Sequence, residues 1–287
     1  MTKRLMNFRE LSTPGNRLRS LDWLGPWAVI VVLVLAMGIG SFPLIEPDEG
    51  RNAEVAREMA QTNNYVLPHL NGLPYLDKPV VFFAVAAMMI EVLGPHELAV
   101  RLASFLFAVA TALLVGWFAH CLFGRQQAYV AVVAAITAPL AIALSRAVIM
   151  DTATSFFVVL ALISFHRAIE KRRAARERVG AARSWIGWTV LAWAAMALGV
   201  LTKGPVALAV PLMVAAPFAL WRRASLAVWN PLGAIVLAVV VTPWVWAVTR
   251  EIPGYLHYVV GTETWARMTT DELRRTQPFW YFIPVLL

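Results

Sequence analysis

The chain has 287 residues, of which 60% are hydrophobic and 15% charged, with a formal net charge of +8 and a mean hydropathy of +0.65. That balance excludes an ordinary soluble domain and fits a polytopic helical membrane protein. The single cysteine, Cys121, excludes an internal disulfide and any cysteine-built metal cluster.

In chain order, Lys3, Arg4, Arg9, Arg17 and Arg19 precede an uncharged run over 24–44. The run is long enough to cross a bilayer and lacks a cleavage pattern, which predicts an uncleaved first span. Glu46-Pro47-Asp48-Glu49-Gly50-Arg51 follows at once. Charge is costly in hydrocarbon, so this cluster must sit where the membrane ends. Glu54–Ala60 reads as a short surface helix. Val80–Leu93 is apolar but only about 21 Å long as a helix, short of the roughly 30 Å hydrocarbon core. It is expected to lie in the interface. Further apolar runs cover 102–123, 128–145, 152–166, 185–202, 204–221 and 226–249. A last run begins at Phe279 and reaches the end of the sequence inside an eighth apparent span, as in a truncated protein or a fragment.

Most Lys and Arg fall at the N-terminus, at Arg125, across 167–183 and at Arg222-Arg223, where the only acids are Glu10, Asp22, Glu170 and Glu177. Such clusters mark the cytoplasmic side. The positive charge therefore reports orientation and not a nucleic-acid partner. With the N-terminus and 167–183 inside, Asp48 and Asp151 lie outside, and only two crossings fit between them. Val80–Leu93 then cannot be a crossing. The outer face collects the loop 45–101, the Arg146–Asp151 turn, the turn at Thr202-Lys203-Gly204-Pro205 and the loop 250–277. The chain reads as one all-α transmembrane domain over 1–287, without internal repeats.

Asp48 follows a proline at a span exit. Its carboxylate can act as general base on an acceptor hydroxyl, stabilise charge at a reacting sugar, or cap a helix over Gly50–Ala60. Asp151, at the outer start of a span, can cap that span or share a site with Asp48, with Arg146 as its expected partner. The tryptophans Trp229, Trp244, Trp246, Trp265 and Trp280 suit interface anchoring or, alternatively, stacking on a sugar or isoprenoid.

The motifs Glu46-Pro47-Asp48-Glu49-Gly50-Arg51-Asn52-Ala53-Glu54-Val55-Ala56-Arg57-Glu58-Met59 and Pro68-His69-Leu70-Asn71-Gly72-Leu73-Pro74-Tyr75-Leu76-Asp77-Lys78-Pro79 open a longer pattern. It continues with Arg101-Leu102-Ala103-Ser104, Leu122-Phe123-Gly124, Met150-Asp151, Leu201-Thr202-Lys203-Gly204-Pro205 and Gln277-Pro278-Phe279-Trp280-Tyr281. Together, and in this order over nearly the whole chain, they resemble the polyprenyl-phosphate-dependent GT-C glycosyltransferases. The nearest groups are the lipid A aminoarabinose transferases and the protein O-mannosyltransferase-like enzymes.

The resemblance implies a GT-C type transmembrane module in a bacterial inner membrane, with its N-terminus cytoplasmic and its active site periplasmic. The implied partners are a polyprenyl-phosphate sugar and a lipid A-like, protein or glycan acceptor. Asp48 is then the catalytic carboxylate, with Glu49 and Asp151 beside it. If the acceptor is an ionised phosphate, no base is needed and Asp48 positions the acceptor or a cation. Arg51, Lys78, Lys203 and Arg267 are expected to hold the donor phosphate and stabilise it as it leaves. Asp77 and His257 form a candidate metal pair for zinc, manganese or magnesium; the resembling enzymes usually carry Glu where this chain has Asp77. Two other classes are a lipid-linked-sugar transporter or flippase, which would need acids along a mid-membrane path, and a non-catalytic scaffold. The clustering of acids at one face favours surface chemistry.

Overall fold

The structure is a computed structural model that describes residues 24–176, 184–257 and 259. Its elements are nearly all helices. Helix α1 (Leu24–Ala36) is uncharged and ends at a turn in which Gly38 has φ +73°. The first apolar run is thus helical only to Ala36, a correction to the expected span over 24–44. Gly38, Gly40 and Pro43 disfavour continued helix and release the chain toward the charged cluster.

Helix α2 (Asp48–Thr62) is longer than the expected Glu54–Ala60 segment and is not merely superficial. Glu49, Asn52, Ala53, Ala56 and Met59 are buried along one face, the spacing of an amphipathic helix. Asn63, in left-handed conformation, ends it. A two-stranded hairpin follows, β1 (His69–Leu70) with β2 (Leu73–Pro74). Its turn places both Asn71 and Gly72 at positive φ, which Asn-Gly tolerates best. Helix α3 (Val81–Leu93) has 13 residues and buries Phe82, Phe83, Ala86, Ala87 and Ile90. It packs on α2 and on α4 (Glu97–Phe123), and its length is that of the expected non-crossing helix.

Among the described residues four helical segments are long and apolar enough to cross a membrane: Glu97–Phe123, Asp151–Arg176, Ser184–Lys203 and Ser225–Glu251. Helices α5 (Arg125–Thr137) and α6 (Pro139–Ser145) meet at a bend of 63° and together qualify as a fifth. The expected straight crossing over 128–145 is therefore broken. Pro139 lacks an N–H and pushes Ala138 out of helical geometry; Ala138 sits at φ −62°, ψ 121°. Helix α7 (Asp151–Arg176) continues well past the expected end at 166, so much of the basic segment is helical. Helices α8 (Ser184–Lys203) and α9 (Val206–Trp221) follow. With 16 residues, α9 is one of the shorter apolar helices, about 24 Å long, yet it leads from the Lys203–Asp151 pair at one end of α7 to the Arg222–Glu170 pair toward the other, along the course expected over 204–221. Helix α10 (Pro231–Glu251) starts at Asn230, whose side chain caps Leu232 N–H. A short helix α11 (Tyr255–His257) ends the described chain's regular structure.

Among the described residues three larger apolar clusters hold these parts together, beside a small one of Leu67, Val248 and Tyr255. One joins α1, α4 and α5 through Val31, Leu35, Phe105 and Val132. A second joins α7, α8 and α9 through Phe165, Trp193, Met196 and Ala215. Here Gly199 permits close approach: an added Cβ would lie 2.7 Å from Ala207 Cβ and 3.3 Å from Phe157 Cβ. The third lies at the end of the bundle where the candidate site is found. It packs α2 and α3 on the start of α4 and on Val148, Met150 and Ala153.

Candidate active site

Asp48 stands in the first turn of α2 with its side chain 68% exposed, and Arg51 Nη2 lies 2.6 Å from its Oδ1. Pro47 occupies the position before the helix, and no side-chain cap is made there. The capping alternative for Asp48 is thus set aside. A carboxylate in a first helical turn also faces the favourable end of the helix dipole.

Glu49 was expected beside Asp48 as a second catalytic acid, and the structure turns it inward. Its side chain is 6% exposed and that of Arg101 is 0% exposed. Arg101 donates from Nε to Oε1 at 3.2 Å and from Nη2 to Oε2 at 2.9 Å. Val148 N–H adds a bond to Oε1 at 2.8 Å and Ile45 N–H one to Oε2 at 2.9 Å. Burial pushes the Glu49 carboxyl up, but the Arg101, Ile45 and Val148 donors outweigh it and hold it below the usual carboxylate value. The remaining Arg101 donors reach Ile39 O at 3.1 Å, Phe42 O at 2.8 Å and Pro43 O at 2.9 Å. Its guanidinium also lies 4.0 Å over the Phe42 ring. Arg101 therefore grips the chain on both sides of Asp48. Arg101 opens the Arg101-Leu102-Ala103-Ser104 motif, and the sequence signal for its role is an arginine at the start of a long apolar helix.

The turn before α7 docks on both α2 and α4. Asn52 Nδ2 donates to Val148 O at 2.8 Å. Ser104 Oγ donates to Ile149 O at 3.1 Å and accepts from Ile149 N–H at 3.3 Å. Asp151 follows as the first residue of α7 and pairs with Lys203 at the end of α8. Arg146, its expected partner, instead donates to Val34 O at 3.2 Å. Gly204, at φ +93°, stops α8 just after Lys203.

The hairpin loop supplies the other cations. Tyr75 N–H bonds Pro68 O at 2.8 Å, and the Tyr75 hydroxyl lies 3.5 Å from Asp77 Oδ2. The Arg51 charge acts on the same hydroxyl. Burial first, and then the Asp77 charge, push the Tyr75 hydroxyl up to about 12 against the opposing effect of Arg51. Lys78 Nζ donates to Asp77 O at 2.8 Å and lies 3.7 Å from Asp77 Oδ2. The Asp48–Arg51 pair and the Tyr75–Asp77–Lys78 group thus make one polar line, with Tyr75 facing the Arg51 charge at its middle.

His257 is exposed on α11. Tyr255 of that helix packs with Leu67 and Val248, with Leu76 against the same cluster, so α11 borders the Asp77 loop. Trp244 Nε1 donates to Val66 O at 2.7 Å and ties α10 to this loop as well. Among the described residues no group of three or more His, Cys, Asp or Glu is arranged to hold a metal ion. Arg267, most of the loop 250–277, and the tryptophans Trp265 and Trp280 lie outside the described residues.

Residues 92–259 match the family model of dolichyl-phosphate-mannose-protein mannosyltransferases. An undecaprenyl phosphate-alpha-4-amino-4-deoxy-L-arabinose arabinosyl transferase of Aeromonas hydrophila is 32% identical over 246 residues, covering 85% of this chain and 44% of the relative. A namesake from Edwardsiella ictaluri is 32% identical over 267 residues, with coverages of 91% and 47%. The crystal structure of ArnT from Cupriavidus metallidurans bound to undecaprenyl phosphate superposes with a TM-score of 0.77 at 27% identity, covering 93% of this chain and 48% of that one. Its apo form superposes with a TM-score of 0.75. The chain thus spans somewhat under half the length of the curated relatives it matches.

Proposed function

The chain belongs to the dolichyl-phosphate-mannose-protein mannosyltransferase family, and from that premise we propose that it is the membrane module of a glycosyltransferase. On this reading it moves a sugar from a polyprenyl-phosphate donor to an acceptor at the membrane surface. The observation that carries the proposal is the polar line of Asp48, Arg51, Tyr75, Asp77 and Lys78 at one end of an apolar bundle. The superposition on a relative solved with undecaprenyl phosphate supports the donor class.

In the reaction, the bond between the sugar's anomeric carbon and the donor phosphate oxygen breaks as the acceptor oxygen bonds to that carbon. An acceptor hydroxyl gives its proton to Asp48; an acceptor phosphate has none to give, and Asp48 then orients it. The leaving polyprenyl monophosphate gains negative charge, which Arg51 and Lys78 offset. Lys203 supports the site through Asp151, and Glu49 acts by holding the start of α2. Arg267 remains a proposed donor contact, and a lipid A-like acceptor is the one the sequence resemblance implies. A flippase would need acids along its path, and among the described residues the acids, Glu170 apart, gather at the Asp48 end.

A divalent ion at Asp77 and His257 belongs to the same proposal. Two side chains are fewer than the three of catalytic zinc sites. A carboxylate and an imidazole suit zinc or manganese better than magnesium, whose ligands are oxygens; an ion held there would add positive charge beside the donor phosphate. Chelation that abolishes transfer, with recovery on adding back magnesium, manganese or zinc, is the expected outcome; full activity in excess chelator removes the ion from the proposal.

The Asp48 face is periplasmic on this reading, in a bacterial inner membrane with the N-terminus inside. Single cysteines at Glu97 and Gln126, with Cys121 replaced, test it: an impermeant thiol reagent should label 97 and not 126 in intact cells. The function itself is tested by giving labelled polyprenyl-phosphate sugars to membranes that contain the full-length protein. Label in a new acceptor product, lost in Asp48→Asn, is expected; label that crosses the bilayer without transfer would establish the transporter.

A further inference from the structure

The end of the bundle opposite Asp48 carries a second built feature. Helix α7 runs 26 residues from Asp151, about 39 Å, so His166 and the arginines after it approach its far end. There a groove of about 360 Å³ opens between α4, α7 and α9, with Val115, Phe118, Val159, Ile163, Val214 and Phe218 along its length. Its walls are almost wholly apolar, and His166 lines it as well. The His166 ring is stacked on Phe218 at 5.9 Å and meets Phe118 edge-on at 5.2 Å.

Charge surrounds that histidine. Glu170, Arg167 and Arg222 are the groups that act on its ring. Arg222 Nη2 pairs with Glu170 at 2.9 Å, and its guanidinium lies 5.5 Å from the Phe218 centroid. Arg167 lies 5.2 Å over Trp117. Two cations against one acid leave this rim positive. Moreover, the donors Arg167 Nε and Arg222 Nε are buried without hydrogen-bond partners among the described residues, as are His166 Nδ1 and the acceptor Glu170 Oε1. Buried donors without acceptors are costly, and guanidinium groups satisfy themselves best on phosphate or carboxylate oxygens.

We propose that this groove binds an anionic diacyl phospholipid of the leaflet opposite Asp48, with an acyl chain along Val115, Val159 and Val214 and the phosphate at Arg167 and Arg222. The apolar length selects a hydrocarbon chain, and any lipid offers one. The rim selects the headgroup, because a zwitterionic lipid brings its own cation to a place that already has two. The site lies at the other end of α7 from the transfer chemistry and does not depend on it.

The test is native mass spectrometry of the full-length protein in detergent, titrated with phosphatidylglycerol or with phosphatidylcholine of the same acyl chains. One phosphatidylglycerol should bind about 30-fold more tightly than phosphatidylcholine, the order expected when two basic groups meet an anionic lipid. Arg167→Gln with Arg222→Gln should erase the preference. Val214→Trp, at a groove position 55% exposed, should weaken both lipids by filling the chain path. Inorganic phosphate should displace neither. Thermal unfolding without lipid separates a folding loss from a binding loss; if the double variant does not fold, Val214→Trp decides alone. Equal binding of the two lipids, undiminished binding in Val214→Trp, displacement by phosphate alone, or no bound lipid because a further polypeptide segment fills the groove would each overturn the proposal.

Discussion

Arg101 and Glu49 form a fully interior pair, two nearly parallel bonds at 3.2 and 2.9 Å between side chains 52 residues apart. The pair fixes the start of α2, and with it the direction in which Asp48 projects. Removing one partner of such a pair strands the other and costs about 3–5 kcal/mol. Arg101→Lys should rescue poorly, because an ammonium offers three donors from a point and the site uses a planar fork. We expect Arg101→Lys to unfold at lower temperature and to transfer sugar slowly, though Arg101 touches no substrate.

The same pair predicts an acid limit to stability. Glu49 is held below its ordinary value when folded, so the unfolded chain binds its proton more readily. Its contribution is complete above the unfolded carboxylate value of about 4.3 and is lost as pH falls through the folded value. Thermal unfolding followed from pH 6 to pH 3 should show a fall below about pH 4 in the wild type and a flatter profile in Glu49→Gln. Parallel profiles would show that Glu49 titrates no differently in the two states.

Asp48→Asn should abolish transfer and leave the fold intact. The Asp48–Arg51 pair is exposed, and such pairs contribute about 0–1 kcal/mol. Nor does Asp48 cap its helix with its side chain, so the substitution should barely move the unfolding temperature. Near-wild-type turnover by Asp48→Asn in the full-length protein would remove Asp48 from the catalytic role.

Local features were legible in the sequence to the degree that length and polarity decide them. Helices α4, α7 and α8 follow from long apolar runs, and the short α3 follows from the short apolar run of Val80–Leu93. The surface position of Asp48 follows from the cost of charge in hydrocarbon. Two local signals carried more than was read from them: Pro139, which breaks α5 from α6, and Asn71-Gly72, which makes the hairpin. The pairings could not be read at all. Arg101 with Glu49 and Asp151 with Lys203 each join residues 52 apart. Helix packing chooses these partners, which is why Glu49 looked like a reagent and Arg146 like the partner of Asp151.

Tyr75 joins the two halves of the polar line, with Arg51 on one side and Asp77 on the other. Its hydroxyl, pushed up to about 12, stays protonated at working pH and serves as a bridge. Tyr75→Phe removes hydrogen bonds worth about 1 kcal/mol net. The apparent donor affinity should fall by roughly five- to tenfold, while the pH dependence of the rate below about pH 10 stays unchanged. An alkaline limb present in the wild type and absent in Tyr75→Phe would instead mark a proton-transfer role.

Lys78 is the cation whose removal best separates anchoring from catalysis. It is held against the Asp77 carbonyl at 2.8 Å, at the approach to α3, and its charge faces the same polar line as Arg51. A charge-assisted bond to a donor phosphate contributes about 1.5–3 kcal/mol, so Lys78→Ala should raise the donor KM by about 10- to 100-fold. The rate at saturation should fall as well if Lys78 also offsets charge on the leaving phosphate. Lys78→Arg should recover part of the affinity, since it restores the charge without the compact ammonium. If Lys78→Ala leaves both donor KM and kcat unchanged, Lys78 only braces the Asp77 loop. The donor phosphate would then fall to Arg51, Lys203 or Arg267, and the same two measurements on those variants would identify which.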